Sequence, residues 1–213
     1  MTTTPSHRQQ AAFGLEQLAS LVRAQSWRMD RSPSLPPTQT AVIRMLGGAP
    51  ERLKARQIAG RLGISPASLS DSLKALEAKG WIARETDPDD RRASLVHLSA
   101  QGRDIAKQLH DPDQGMGRLL QDLDEADVGA LLRVTQLLVM QAQQQGLATG
   151  LRTCLGCRFF RPYGGNEEKP HFCDFIHQAF GDAELRTDCA EQAPANDDQL
   201  AENLARFRHP TPP

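Results

Sequence analysis

The residues best equipped for chemistry in this chain are four cysteines, Cys154, Cys157, Cys173 and Cys189, spaced C-x2-C-x15-C-x15-C. A C-x2-C turn brings two sulfurs to one place, and the loops that follow are long enough to fold back and deliver the other two. Four thiolates suit a tetrahedral metal ion or an iron–sulfur cluster. Two paired C-x2-C knuckles would point to zinc. With only one pair, an iron–sulfur cluster is slightly favoured over zinc, and metal-free redox thiols or inert cysteines are the remaining reading. Phe159, Phe160, Phe172, Phe175 and Phe180 interleave with the cysteines. They suit the shielding of a cluster or the core of a zinc-stapled module, because about 40 residues rarely fold without a staple. His171 and His177 flank Cys173 and could replace one ligand, although a surface or packing role suits each of them better.

A second constellation lies in Leu53–Leu98 and suits contact rather than reaction. Ser65 and Pro66 form a strong helix start, a hydroxyl cap followed by proline. From Pro66 to Lys79, Leu69, Leu73 and Leu76 recur at i, i+4 and i+7, and Ala67, Ser68, Ser70, Asp71 and Lys74 take the opposite face. A helix that enters the major groove of DNA needs an exposed first turn held from behind by an apolar stripe. Small hydroxylic residues let the backbone approach, and Ser65, Ala67, Ser68, Ser70 and Lys74 are the candidate contacts on bases and phosphates. After Gly80, two short β segments, Trp81–Thr86 and Ala93–Leu98, enclose the turn DPDDRR, which carries Asp90, Arg91 and Arg92. An arginine-tipped hairpin suits the minor groove, where negative potential concentrates. A winged helical domain used for protein contacts would look similar, but helix, turn, helix and wing in this order favour DNA.

These groups need positioning elements. His7 to Met29 reads as a helix, with Phe13, Leu18, Leu21 and Val22 on one stripe. Thr38 is placed to cap a short helix bearing Val42, Ile43 and Leu46. Lys54–Leu62 is the first helix of the pair, closed by Gly63. Ser99 caps a helix to Leu109, interrupted around Asp111–Asp113 and Gly115. Met116–Gln145 then reads as one long helix, with Leu119, Leu120, Leu123, Val128, Leu131, Leu132, Val134, Leu137 and Leu138 making a broader apolar face than one small core needs. Such a face usually packs on a partner. The acidic residues at 122–127 read as a solvated face. The domain reading is a disordered start at 1–6, a winged helix-turn-helix with dimerisation helices at 7–147, a four-cysteine metal-binding module at 151–191 and a polar tail at 192–213. Leu200, Leu204 and Phe207 allow a short amphipathic helix in that tail. The fold class is mainly α with a small β wing, plus the cysteine-rich module.

The formal net charge of −1 conceals an asymmetry. Residues 51–107 hold eleven Lys/Arg against eight acids, and residues 108–213 hold nine against sixteen. The positive charge thus sits in the winged segment. The start of the chain has no apolar segment behind a basic run, and no window approaches a membrane span. A cytoplasmic protein is expected, where cysteines bind metals or do thiol chemistry rather than form structural disulfides. No phosphate-binding loop, dinucleotide fingerprint or nucleophile elbow occurs, so no enzyme activity is expected.

The stretches LPPTQTAVIRML, ARQIAGRLGISPASLSDSLKALEAKGWIAR and DPDDRRASLVHLSAQGRDI together resemble the MarR family of bacterial transcription regulators. The resemblance covers roughly residues 10–146. It is sharpest at Asp90-Arg91-Arg92 followed by Val96, Leu98, Ser99 and Gly102. It implies a homodimer formed through the N- and C-terminal helices and bound to a palindromic double-stranded operator. Arg92 would probe the minor groove and Asp90 would orient the wing. It also implies a small-molecule effector site. One position departs from the pattern: Asp71 stands where many members carry a basic residue, and it can instead pair with Lys74 at i+3. The cysteine module lies outside the family pattern and reads as a second, redox- or metal-sensing input. A different reading makes the chain an electron-transfer or oxidoreductase subunit whose cluster does the chemistry and whose helical part only docks.

Overall fold

The structure is a computed structural model and describes residues 6–26, 35–49, 52–109 and 115–209. Chain contacts divide it into two compact units: Met1–Gly47 with Ala67–Gln121, and Gly48–Pro66 with Asp122–Pro213. The expected disorder at residues 1–5, the end of the first helix at 27–29 and the interruption at 111–113 lie outside the described residues.

In the first unit, α1 (His7–Ser26) and α2 (Pro37–Gly47) precede α4 (Pro66–Ala78), the strands β2 (Ile82–Thr86) and β3 (Ser94–Leu98), α5 (Ala100–Leu109) and α6 (Gly115–Leu120). The helix expected to be capped by Thr38 begins at Pro37, with Thr38 inside it. Proline has its fixed φ and lacks the N–H that a first helical turn leaves unpaired, so it can open the helix itself. Val42, Ile43 and Leu46 are buried as their spacing requires. α2 packs on α5 and on β3. The β2–β3 hairpin is antiparallel, with Ile82 opposite Leu98 and Arg84 opposite Val96. Buried Ile82, Val96 and Leu98 give its inner face period-two burial. Ser99 caps α5 as its sequence suggests: its hydroxyl accepts from Gly102 N at 3.0 Å and donates to Gly80 O at 2.6 Å. A Cβ on Gly102 would collide with the Trp81 carbonyl oxygen, so only glycine lets α5 start this close to β2.

In the second unit, the two-residue strand β1 (Leu53–Lys54) leads into α3 (Ala55–Leu62). Gly63 ends α3 in the left-handed conformation at φ 62°, and its N–H and that of Ile64 close on Gly60 O and Ala59 O. The single helix expected over Met116–Gln145 is broken. α6 ends at Leu120, and α7 runs Glu125–Gln144. The Asp124 side chain accepts from Asp127 N at 2.8 Å and so caps α7. Aspartate competes for backbone donors in this way, which periodicity alone does not register. The short strands β4 (Phe160–Arg161), β5 (His171–Cys173) and β6 (Gln178–Phe180) make an antiparallel sheet, followed by a 3-10 turn at Asp182–Glu184. α8 (Asp197–Arg208) occupies most of the segment read as a polar tail, and Asn196 caps it by accepting from Gln199 N.

One apolar core joins these parts of the second unit. Met140 of α7, Leu155, Cys157, Phe160, Phe180 and Leu185 of the cysteine region, and Phe207 of α8 are buried together. Leu132 and Leu137 of α7 and Leu200 and Leu204 of α8 pack against them. Phe207 is 0% exposed, and its carbonyl accepts from the Arg133 guanidinium, a cation placed at the C-terminal end of α8. The wide apolar face of α7 is thus divided. Leu132, Leu137 and Met140 serve the core of the cysteine region, whereas Leu131, Val134 and Leu138 remain exposed. No helix among the described residues is long and apolar enough to cross a membrane.

Candidate nucleic-acid interface and candidate metal centre

α4 buries Leu69, Leu73 and Leu76 and leaves Ala67, Ser68, Asp71 and Lys74 exposed. Ser65 just before it is also exposed, and Ser70 is half-buried. The outward face is therefore the small, hydroxylic one that the spacing implies. Asp71 and Lys74 pair at 3.7 Å with their side chains 83% and 70% exposed. A pair this exposed contributes little to stability. Its consequence is electrostatic, because a carboxylate beside Lys74 offsets the cation that face would offer to phosphate. Glu77 of α4 meets Arg84 of β2 at 3.2 Å and ties helix to hairpin.

The wing is built by its aspartates. Asp87 is buried, its N–H donates to Ala93 O, and its carboxylate accepts from Asp89 N at 2.9 Å. The Asp90 carboxylate accepts from Arg92 N at 3.1 Å, while Asp90 O accepts from Ala93 N. This fixes a tight turn and leaves the side chains of Arg91 and Arg92 exposed at its tip. The structure thus brings Ala67, Ser68, Ser70, Lys74, Asp90, Arg91 and Arg92 into one unit and places Ser65 immediately before it.

All four cysteines line a single cavity of about 150 Å³, together with Phe159, Phe175, Ile176, Phe180, Glu184, Arg186 and Glu191 among others. None is in a disulfide. Among the described residues, no three His, Cys, Asp or Glu side chains stand close enough to share one metal ion. The thiols surround a space rather than meet at a point. Backbone hydrogen bonds set their places. Cys157 N donates to Cys154 O at 2.9 Å, which closes the C-x2-C turn. Cys154 N donates to Arg186 O and Cys189 N to Arg152 O, so the segment before the turn runs beside the one carrying Cys189. Cys173 sits on the central strand β5, opposite Phe160 and Gln178. Arg186 N donates to Cys154 Sγ at 3.3 Å.

Burial pushes the Cys154 thiol up to about 11; the Arg186 amide pulls the other way, and the nearby Cys189, Cys157 and Cys173 add to the rise. The Cys189 thiol is also raised, chiefly by burial. Glu184 is held below the usual carboxylate range by the Gly181 amide and by Lys169. His171 is removed from the ligand set. It is 0% exposed, with Nε2 2.8 Å from Asp182 and Nδ1 3.4 Å from Tyr163 N, among Phe160, Phe180 and Phe207. His177 is exposed. The sequence reading missed Ile176, Arg186 and Glu191 on the cavity wall. It also missed Gln136 of α7, which is 0% exposed, accepts from Leu155 N at 3.0 Å and donates to Arg186 O at 2.9 Å. A glutamine in a run of apolar and polar helix residues gives no sign of such a role.

Helix, turn, helix and two-stranded wing in this order define a winged helix-turn-helix. Residues 34–93 match the sequence model of the MarR family. The HTH-type transcriptional regulator SarZ of Staphylococcus saprophyticus is 31% identical over 91 residues, 42% of this chain and 62% of its own length. The chain therefore spans about three-fifths of that relative. Among solved structures, CouR of Rhodococcus jostii bound to p-coumaroyl-CoA superposes with TM-score 0.56 at 20% identity, over 63% of this chain and 95% of that one. Sco3205 of Streptomyces coelicolor, a MarR family regulator in complex with DNA, gives TM-score 0.55 at 19% identity over 67% and 92%. At these identities the two structures establish the fold.

Proposed function

We propose that the chain is a DNA-binding transcriptional regulator that acts in the cytoplasm as a homodimer on a palindromic operator, with the four-cysteine module as a metal-holding input. The observation that carries this reading is the exposed face of α4, backed by its buried leucines, in one unit with an arginine-tipped wing. A helix face with Ser68 and Lys74 suits the major groove, and Arg91 and Arg92 suit the minor groove of the same duplex. The likeness of the winged segment to Sco3205, solved with DNA, supports the partner. The exposed Leu131, Val134 and Leu138 on α7, at i, i+3 and i+7, and Phe13, Leu18 and Leu21 on α1 support a second copy as the covering surface. CouR, solved with p-coumaroyl-CoA, supports a small-molecule effector as a further partner.

The test is selection from a randomised duplex pool. Enrichment of an inverted repeat, with half-sites about 34–36 Å or one helical turn apart, is the expected result. A pool that stays unenriched while the folded protein is present in excess contradicts the proposal.

A further inference from the structure

We infer that the cysteine-lined cavity is the seat of a polynuclear iron–sulfur cluster and not of a single zinc ion. The inference deepens the reading of the four cysteines as a metal-holding set and does not depend on DNA binding. Three observations on the geometry carry it.

The first is the shape of the site. Tetrahedral zinc with Zn–S bonds of about 2.3 Å requires four sulfurs roughly 3.8 Å apart, which leaves no void between them. Here all four cysteines face a cavity of about 150 Å³, and no three potential ligands among the described residues are close enough to share an ion. An apolar cavity of about this size holds a small aromatic ring. A cube of four irons and four sulfides is an object of that size. A lone ion is far smaller.

The second is the wall. Phe159, Phe175, Ile176 and Phe180 supply an apolar surround, and Phe159 packs on Phe175 with ring centroids 5.3 Å apart. Cluster sulfur is soft and weakly hydrated, so this apolar wall suits it, with Phe180 on its buried side and Phe175 and Ile176, 51% and 53% exposed, on its outer rim. A wall of this kind would also suit a small apolar molecule, but four thiols from three separate backbone segments have no part in holding one.

The third is the pattern of charge and donors. A cluster with four thiolates is anionic. Arg186 lies on the cavity wall, and its backbone N–H already points at Cys154 Sγ at 3.3 Å. Amide donors to ligand sulfur are the usual means by which a protein stabilises such a site. Of the competing ligands nearby, His171 is paired with Asp182 and Glu184 with Gly181 N and Lys169, while Glu191 accepts from Cys189 Sγ at 3.5 Å and stays beside the thiols.

The experiment uses the full chain, reduced and metal-free, under anaerobic conditions. One sample receives ferrous and ferric iron with sulfide, another zinc, and a third all of these. Expected is uptake of at least two irons with an equal amount of sulfide per chain, and a visible absorption band that dithionite bleaches. Iron and sulfide should win in the mixed sample. The double variant Cys173→Ser/Cys189→Ser should lose at least nine-tenths of that uptake while keeping its far-ultraviolet circular dichroism. If the double variant does not fold, the parent's iron-to-sulfide ratio still decides the matter. One zinc per chain with no sulfide uptake, or no uptake of either metal, overturns the inference. Duplex binding measured on the same samples separates the two proposals. DNA binding with zinc uptake alone leaves the proposed function standing and overturns this one, and cluster uptake in a chain that binds no DNA does the reverse.

Discussion

Asp71 and Lys74 show how a single residue tempers an interface. They pair across one turn of α4 with both side chains open to water. On a face that meets phosphate, the carboxylate repels the backbone and the pair must part or share its cation. Asp71→Ala should therefore raise affinity for any duplex severalfold at low salt, with a smaller gain at high salt, because exposed charges are screened within about 10 Å at 0.1 M. Fluorescence anisotropy at two salt concentrations checks this; weaker binding by the variant would show instead that Asp71 reads a base. At the cysteines, burial lifts Cys154 from 9.0 to about 11. A folded-state value above the unfolded one stabilises the metal-free chain fully below the unfolded value, and that contribution is lost as pH rises through the folded one. Melting temperature of the metal-free chain should fall from about pH 9 to about 11. Cys154→Ser should flatten that part of the profile, and an equal fall in the variant would assign the effect to other groups.

At the scale of elements, α7 and the segment 146–151 deserve the closest reading, because they join the helical part of the second unit to the cysteines. Gln136 of α7 holds both the C-x2-C turn, through Leu155 N, and the segment bearing Arg186. Leu151 N donates to Gln143 of the same helix, and Thr149 N donates to Gly60 O of α3. A Cβ on Gly63 would collide with Leu147 O, so glycine there serves both the left-handed cap of α3 and the passage of this segment. Gln136→Leu strips the buried Leu155 N of its partner, at about 1–3 kcal/mol, and the partly buried Arg186 O of its own at a smaller cost. Its expected result is a loss of several degrees in melting temperature and faster release of bound metal; unchanged stability and release would mean that Leu155 N and Arg186 O find other partners. These contacts also mark where sequence was readable. α4, the wing and the caps at Gly63 and Ser99 were legible because their signals are local: spacing, a turn residue, a hydroxyl. The break before α7 hid in a run of acids that read as solvated face, when one of them, Asp124, is a cap. Burial of Phe207 beside Arg133, 74 positions away, the seating of His171 on Tyr163 and Asp182, 8 and 11 away, and the function of Gln136, whose partners lie 19 and 50 away, are tertiary contacts that periodicity does not encode.

At the scale of the molecule, one apolar helix serves two masters. Its Leu132, Leu137 and Met140 are spent on the core of the cysteine region, and its Leu131, Val134 and Leu138 stay open. The sequence marks a face broader than one core needs; the structure shows which part the cysteine region occupies and which part stays open. If the remaining stripe meets a second copy, Val134→Glu should convert a dimer to a monomer in sedimentation or light scattering with the helix content kept, and a dimer that persists would place the interface elsewhere. Loss of the dimer should also weaken operator binding more than tenfold, since two half-sites are then bound independently. The charge distribution fits this division of labour, with excess cations in residues 51–107 and excess acids beyond them. The central claim is that α4 and the wing grip a DNA duplex, and the most direct measurement is the salt dependence of duplex affinity for the parent and for Arg91→Ala/Arg92→Ala. The account predicts that the double variant binds at least tenfold more weakly and that the slope of log affinity against log salt shrinks by about two, one for each lost cation. Equal affinity and equal slope in the two proteins would contradict it.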